Sequence, residues 1–323
     1  MSARNTLSAV IIAVVQAGMV HAQTVVRTTS LSPSMPPASP LGVWSGNSIL
    51  AIDSISSSSP TLHIYGRSGD EVQSILVQIP GAQLINVFND QVARSADGYV
   101  ALSGIAYGGE DNAAGFLLII PPAGADQLVV RTEPYVVSAL AFSPDGVIWT
   151  AGREKDNSGR DKGPNGNYSI VRRFDKKGKV IGAALASTEF SGRGAPVQGS
   201  RFVGSRDRVG WFAPEAQRYI EFSLDGVERA SYPLSVRLKD VDGVALCDDN
   251  TLWVSVKDWT SDLSGKPVFR GSNLRFLDRS RNTLSGGKAQ SFVYLYGCAG
   301  NTLVATSATS PGWNEVDWLA TNH

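Results

Sequence analysis

The chain has 323 residues, of which 42% are hydrophobic and 18% charged, so it can bury a core and is not a disordered protein. Its 29 basic and 29 acidic residues cancel. A net charge of zero excludes a global field that would draw the protein to nucleic acid or to anionic lipid. We therefore expect no nucleic-acid partner.

The first 22 residues have the composition of a secretory signal peptide. Arg4 supplies a positive charge, Leu7 to Val20 form an apolar run, and Val20-His21-Ala22 is a small-residue cleavage site. The alternative is a membrane anchor, but the run is short and contains Gln16. We expect a mature chain of residues 23–323 that has no membrane span and is secreted or periplasmic.

One short pattern recurs six times along the chain: a β-prone run enters a tight turn and a second β-prone run leaves it. The turns are centred on Gly46, Asp97, Asp145, Asp207, Asp249 and Gly300. The intervals of 51, 48, 62, 42 and 51 residues match the period of a four-stranded propeller blade. The sequence therefore predicts an all-β fold, with residues 23–323 forming one six-bladed β-propeller.

The third and fifth repeats show the strand pattern most completely. In the third repeat, β-branched and aromatic residues predict strands at 137–143, 147–151, 168–174 and 180–185. In the fifth repeat they predict strands at 243–247, 251–256 and 273–277. Long loops are expected between second and third strands, at residues 108–115, 153–167, 257–272 and 306–314.

The sixth repeat ends after its third predicted strand, at residues 315–319. A missing outer strand would leave an exposed edge. Val25-Val26-Arg27-Thr28 matches Val129-Val130-Arg131-Thr132, which is the fourth-strand position of the second repeat. We therefore predict that the N-terminal strand closes the ring against blade six, and that residues 32–40 connect it to blade one.

The segment Leu140-Ala141-Phe142-Ser143-Pro144-Asp145-Gly146-Val147-Ile148-Trp149 combines an inner strand, an Asp-Gly turn and a second strand. It resembles the repeat of NHL-type propellers, and the resemblance extends over the mature chain. The turn is degenerate at Arg208 and Ala299. The resemblance implies a propeller architecture and leaves the function open.

Long loops between second and third strands share one face of a propeller, so this face is the expected binding surface. Tryptophans 149, 211 and 253 recur at one repeat position and are expected in the core. Trp259 and Trp313 lie in long loops, where each either stacks on a sugar, anchors a partner, or packs under its own loop. The loop charges Arg153, Lys257 and Asp258 complete the candidate ligand-binding residues.

The sequence contains no complete catalytic constellation, because its histidines are His21, His63 and His323 and they are widely separated. The leading hypothesis is therefore an exported, non-catalytic propeller without a cofactor, which binds a protein or glycan partner on the long-loop face. A purely structural envelope scaffold is a further possibility.

The segment Val241-Asp242-Gly243-Val244-Ala245-Leu246 resembles the Asp-Gly motif of the regucalcin and gluconolactonase family. That resemblance implies a metal-dependent lactonase, with Asp242 as ligand of a divalent cation such as calcium and as the base. Asp90 occupies the equivalent strand entry and is the second candidate metal ligand. Pro40 stands where the family has an early glutamate. Ser138-Ala139 and Ser200-Arg201 stand where it has Asn-Gly, so the metal-dependent lactonase is the alternative hypothesis.

Cys247 and Cys298 occupy the same repeat position, at the end of the inner strand in neighbouring blades. Export permits a disulfide, which requires α-carbons about 6 Å apart. Two buried thiols are the other possibility.

Overall fold

The structure is a computed structural model. It describes residues 24–33, 42–109, 113–122, 126–156, 159–163, 166–190, 195–262, 264–286, 294–306 and 315–321. The predicted signal peptide, most of the predicted linker 32–40, and Trp313 lie outside the described residues.

Blades one and two come first in the chain. The strands that precede and form them are β1 (Thr24–Ser30), β2 (Val43–Ser45), β3 (Ser48–Ile52), β4 (Ser56–Ser57), β5 (Thr61–Tyr65), β6 (Glu71–Leu76), β7 (Leu84–Asn86), β8 (Val92–Arg94), β9 (Val100–Tyr107), β10 (Ala113–Ile120) and β11 (Leu128–Arg131). Blade one has the order β2-β3-β5-β6. Blade two has the order β8-β9-β10-β11. The C-terminal end of β9 also pairs with β7, and β7 pairs with β4.

Blades three to five are regular four-stranded antiparallel sheets. Their strands are β12 (Tyr135–Phe142), β13 (Ile148–Glu154), β14 (Ser169–Phe174), β15 (Val180–Ala186), β16 (Arg201–Gly204), β17 (Arg208–Ala213), β18 (Arg218–Ser223), β19 (Glu228–Pro233), β20 (Val241–Leu246), β21 (Leu252–Ser261), β22 (Pro267–Asp278) and β23 (Thr283–Ser285). In each blade the strands pair in chain order. Short 3-10 turns at Asn89–Gln91, Ser187–Glu189 and Leu238–Asp240 lead into or follow the blades.

Blade six combines both ends of the chain. It contains β24 (Leu295–Ala299), β25 (Thr302–Thr306) and β26 (Glu315–Ala320), and its fourth strand is β1. The pairing is antiparallel and runs from Thr24 opposite Ala320 to Ser30 opposite Glu315. The N-terminal strand therefore occupies the outer position that the sequence pattern predicts for it.

The six sheets form a ring. The innermost strands contact one another in the order β2, β8, β12, β16, β20, β24 and back to β2. Each of the six predicted turn centres lies between the first and second strands of its sheet. The prediction of an all-β, six-bladed propeller is confirmed.

Apolar side chains between neighbouring blades form the core. Trp149, Trp211 and Trp253 are all at most 1% exposed, which confirms that their periodic placement marks core positions. Trp149 packs against Phe222 of the next blade, with ring centroids 5.5 Å apart. Cys247 and Cys298 form a disulfide that joins blades five and six, with α-carbons 5.2 Å apart. No helix of the described residues is long and apolar enough to cross a membrane.

The structure corrects one expected loop. Residues 257–272 do not form an irregular loop, because β21 continues to Ser261 and β22 begins at Pro267. Asp262 closes this hairpin by accepting hydrogen bonds from the backbone N–H of Ser264 (2.8 Å) and Lys266 (2.9 Å). Apolar and β-prone residues on both arms let the pairing continue beyond the blade.

Candidate functional site

The two faces of the ring differ in their connections. Inner strands run from one face to the tight turns on the other, so the strand entries and the connections between second and third strands share a face. The loop face is the side at which β13 and β21 end and β14 and β22 begin. The turn face is the side with turns such as 95–99 and 143–147. The predicted site residues Asp90, Asp242 and Trp259 belong to the loop face.

A β-ribbon of residues 257–272 continues blade five on the loop face. Trp259 lies opposite Phe269 in the strand register, and their rings pack with centroids 5.4 Å apart. Trp259 is 46% exposed, Phe269 42% and Val268 41%. Adjacent strand residues face opposite sides, so Val268 presents apolar surface on the face away from the two rings. Trp259 therefore packs against its own ribbon and also remains open to solvent.

Asp242 lies at the base of this ribbon. A register shift between Val241 and Gly243 leaves Asp242 out of the strand pairing. Such a bulge redirects a side chain. Its carboxylate contacts both arms of the ribbon: the Lys257 ammonium lies 3.1 Å from Oδ1, and the buried Ser272 hydroxyl donates a 2.6 Å hydrogen bond to Oδ2. Asp242 and Lys257, predicted on separate grounds, thus form one ion pair.

Asp90 forms a second ion pair, with Arg201. The guanidinium Nε lies 2.8 Å from Asp90 Oδ1, a close charge contact without the alignment of a good hydrogen bond. The Arg201 guanidinium also lies 5.3 Å from the centre of the Tyr294 ring. Arg201 is a side chain that the sequence reasoning did not select. Its position at the start of an inner strand, one residue beyond the position equivalent to Asp90 and Asp242, was the available signal.

Electrostatics connect these groups. Burial alone lowers the pKa of Arg201, but the Asp90 carboxylate, the Tyr294 hydroxyl and the Asp242 carboxylate outweigh this effect and raise the pKa above its usual value. Burial raises the pKa of Tyr294 well above its usual value, so its phenol is protonated at neutral pH. The strand-entry cluster of Asp90, Arg201, Asp242, Lys257 and Tyr294 thus carries two positive and two negative charges.

The proposed metal ligands Asp90 and Asp242 are therefore each paired with a cation. Within the described residues, no group of three or more His, Cys, Asp and Glu side chains converges. Hard cations such as calcium prefer six to eight oxygen ligands. A metal at Asp242 would have to displace Lys257 and recruit further oxygen atoms.

The remaining predicted residues lie elsewhere on the loop face or outside the described chain. Arg153, in blade three, pairs with Asp161 at 2.9 Å, and Lys155 contacts the same carboxylate at 2.5 Å. This pairing ties the blade-three loop to its own strand. Asp258 is half-buried in the ribbon, next to Trp259. The structure brings Lys257 into contact with Asp242 and places Asp258 and Trp259 further along the same ribbon, whereas Arg153 belongs to another blade.

A cavity of about 370 Å³ occupies the central channel. Asp90, Arg201 and Tyr294 line its inner end. Residues of the tight turns, including Asn47, Ser143 and Ser205, line the other end. The cavity therefore extends from the strand-entry cluster toward the turn face, opposite the ribbon.

Comparisons with known proteins find similarity among solved structures. No protein-family model and no curated protein sequence matches the chain. A protein of Bacteroides fragilis described as exported has a solved structure that is 12% identical, with a TM-score of 0.52 over 95% of this chain and 97% of that chain. A streptogramin B lyase is 11% identical, with a TM-score of 0.45 over 92% and 97% of the two chains.

A gluconolactonase of Xanthomonas campestris is 12% identical, with a TM-score of 0.43 over 94% of this chain and all of that chain. At such identities, similarity speaks for architecture alone. The sheet topology shows that the chain is a β-propeller, and the structure with a TM-score of 0.52 shares its overall fold.

Proposed function

We propose that this chain is an exported, non-catalytic β-propeller that binds a protein partner through the ribbon on its loop face. The observation that carries this proposal is the exposed apolar surface of Trp259, Phe269 and Val268 on a segment that extends beyond the blade. Exposed aromatic clusters on rigid elements are typical of interaction sites. Export is supported by the signal-peptide pattern of the first 22 residues.

A protein fits the ribbon better than a glycan does, which is the other candidate partner. Sugar rings stack on a flat aromatic face, but the Trp259 and Phe269 rings are tilted by 58° and pack against each other. Val268 adds aliphatic surface on the opposite side of the ribbon. A sugar stacked on the two rings would not contact this surface. Apolar surface on both sides suits insertion into a cleft of another protein.

The test compares capture by the full chain with capture by a Trp259→Ala/Phe269→Ala variant. The chain is immobilised and exposed to exported proteins of the source cell and, separately, to a glycan array. Removing two aromatic anchors should weaken binding by about 30-fold or more, since hot-spot aromatics contribute about 2 kcal/mol or more. Val227→Ala, at a 60% exposed position of blade four, is the matched control and should bind normally.

Capture that persists undiminished in the ribbon variant would overturn the proposal. Binding restricted to the glycan array would replace the protein partner with a glycan.

The alternative is a metal-dependent, lactonase-like hydrolase in which Asp242 is the base and a metal ligand with Asp90. The feature that supports it is the placement of both carboxylates at inner-strand entries. Calorimetric unfolding with and without calcium, zinc and manganese tests it, because a bound ion raises the midpoint by mass action. The hydrolase reading requires a metal-dependent rise that is lost in Asp242→Ala.

A further inference from the structure

The channel cavity is separate from the ribbon. Its inner end lies at the strand-entry cluster, but its walls and rim belong to the inner strands and to the tight turns of the turn face. Trp259, Phe269 and Lys257 are not among its lining residues. A ligand in this cavity would therefore be held by different atoms from those that we propose to hold a protein partner.

The inner end of the cavity carries adjacent opposite charges. The Asp90 carboxylate uses Oδ1 for Arg201 Nε, at 2.8 Å, so its second oxygen is available as an acceptor. Arg201 has five N–H donors in a planar fork. The Nε group faces Asp90 and the Tyr294 hydroxyl is a further partner, so the remaining N–H groups can pair with a carboxylate. The Asp90 side chain is 28% exposed and that of Arg201 16%. Both groups are thus reachable and neither is sealed in the core.

The charge balance at this end selects among small ligands. Arg201 lies between the negative charges of Asp90 and Asp242, and Lys257 neutralises Asp242. A simple anion would be attracted by Arg201 but repelled by Asp90. A simple cation would be attracted by Asp90 but repelled by Arg201. A ligand that carries both charges on neighbouring atoms complements both residues.

The walls of the cavity suit an apolar group. The aliphatic residues Val43, Ala141 and Val203, which are only partly buried, line the channel between its charged end and the turns, and Arg94 adds a positive charge there. The volume of about 370 Å³ lies at the small end of the range for ligand sites. It accommodates a molecule of amino-acid or dipeptide size.

We propose that the channel cavity binds a small zwitterion with an α-amino-acid head group. The ligand carboxylate pairs with Arg201, the ammonium with Asp90, and the side chain extends along the aliphatic walls toward the turn face. This site is independent of the ribbon and adds a small-molecule ligand to the proposed protein-binding function.

The test is isothermal titration of the full chain with amino acids whose side chains range from glycine to phenylalanine. Two analogues of leucine serve as matched probes: isoamylamine, which lacks the carboxylate, and 4-methylpentanoate, which lacks the ammonium. Glucose is the uncharged probe. We expect at least one amino acid to bind, and each analogue of leucine to bind at least about 10-fold more weakly than leucine, because each loses one ion pair.

Variants locate the site. Asp90→Asn should weaken amino-acid binding by at least about 10-fold. It should not weaken the binding of 4-methylpentanoate, because the Asp90 charge that repels this anion is gone. Trp259→Ala in the ribbon and Val227→Ala at an exposed position of blade four change residues that do not line the cavity. Neither variant should remove amino-acid binding. The outcome for the amino-acid site is therefore distinguishable from the outcome for the proposed protein partner, which requires Trp259.

The wild-type titrations need no variant to fold. The proposal is overturned if no amino acid binds at concentrations up to about 10 mM, or if glucose or a single-charge analogue binds as tightly as leucine.

Discussion

Thr28 and Asp317 are 289 positions apart in sequence, and the Thr28 hydroxyl donates a 2.7 Å hydrogen bond to the Asp317 carboxylate. The neighbouring residues repeat this connection, because the indole N–H of Trp318 donates to the Thr29 hydroxyl at 3.0 Å. Asp317, Trp318 and Thr29 are all buried. Both ends of the chain therefore share one set of polar contacts in blade six.

Deletion of residues 24–31 should destabilise the whole ring. It removes the outer strand of blade six and leaves Asp317 and Trp318 without the partners supplied by β1. The milder variant Thr28→Val should cost about 1–3 kcal/mol, because it leaves a buried carboxylate without its donor. Urea unfolding measures both. Val26→Ala, at a 59% exposed position of β1, should be nearly neutral, and a fully stable deletion would contradict this role of the strand.

Reduction of the Cys247–Cys298 disulfide should destabilise the protein by about 2–4 kcal/mol. The bond closes a loop between residues 51 positions apart, and cross-linking such a loop restricts the unfolded chain. The measurement is urea unfolding with and without dithiothreitol. The Cys247→Ala/Cys298→Ala variant is the control, because its stability should not respond to reductant.

Two tryptophans in the same strand should differ widely in the stability that their truncation costs. Trp253 is 1% exposed in the core between blades five and six, and Trp253→Ala should cost about 3–5 kcal/mol or prevent folding. Trp259 is 46% exposed, and Trp259→Ala should change the free energy of unfolding by less than about 1 kcal/mol. Equal losses in the two variants would mean that the ribbon is part of the structural core.

Gly243→Ala should destabilise the contact between blades five and six. A Cβ atom at this position would lie 2.3 Å from the backbone oxygen of Leu295, which cannot move without shifting the inner strand of blade six. Such overpacking costs about 1–3 kcal/mol. Gly163→Ala is the control, since no atom lies within 4 Å of its added methyl group. Thermal unfolding midpoints compare the two.

The Glu154 carboxylate should make stability depend on pH. Burial alone raises the pKa of Glu154, but hydrogen bonds from Lys162 and Arg172 outweigh it and hold the pKa below its ordinary value of 4.5. A carboxyl group whose folded pKa is lowered stabilises the folded state above the unfolded pKa and loses that contribution as the pH falls through the folded pKa. Glu154→Gln should therefore cost about 1–2 kcal/mol near pH 7.

The difference between Glu154→Gln and the wild type should shrink as the pH falls below 4.5. Urea unfolding at several pH values measures this difference. A difference that stays constant from pH 7 to pH 3 would show that the Glu154 ion pairs do not contribute to stability.

The turns and core positions of this fold depend on residues that are close together in sequence, so the sequence alone predicts them. Tight turns need particular residues: Gly98 and Gly146 adopt positive φ angles of 90° and 81° just after Asp97 and Asp145, and such conformations favour glycine. Trp211 is buried because its repeat position faces a neighbouring blade. These features depend on residues within a few positions of one another, and their period alone reveals the six blades.

The site depends on residues that are distant in sequence, and only the tertiary structure decided it. The Asp90–Arg201 pair, the Cys247–Cys298 bond and the contacts of Asp242 with Lys257 and Ser272 join different blades or opposite arms of a hairpin. A sequence period assigns each residue to a strand, but it does not reveal a bulge that turns one side chain away from its register. The sequence by itself determined the propeller and its core, and the packing of the inner strands determined which charges meet in the channel.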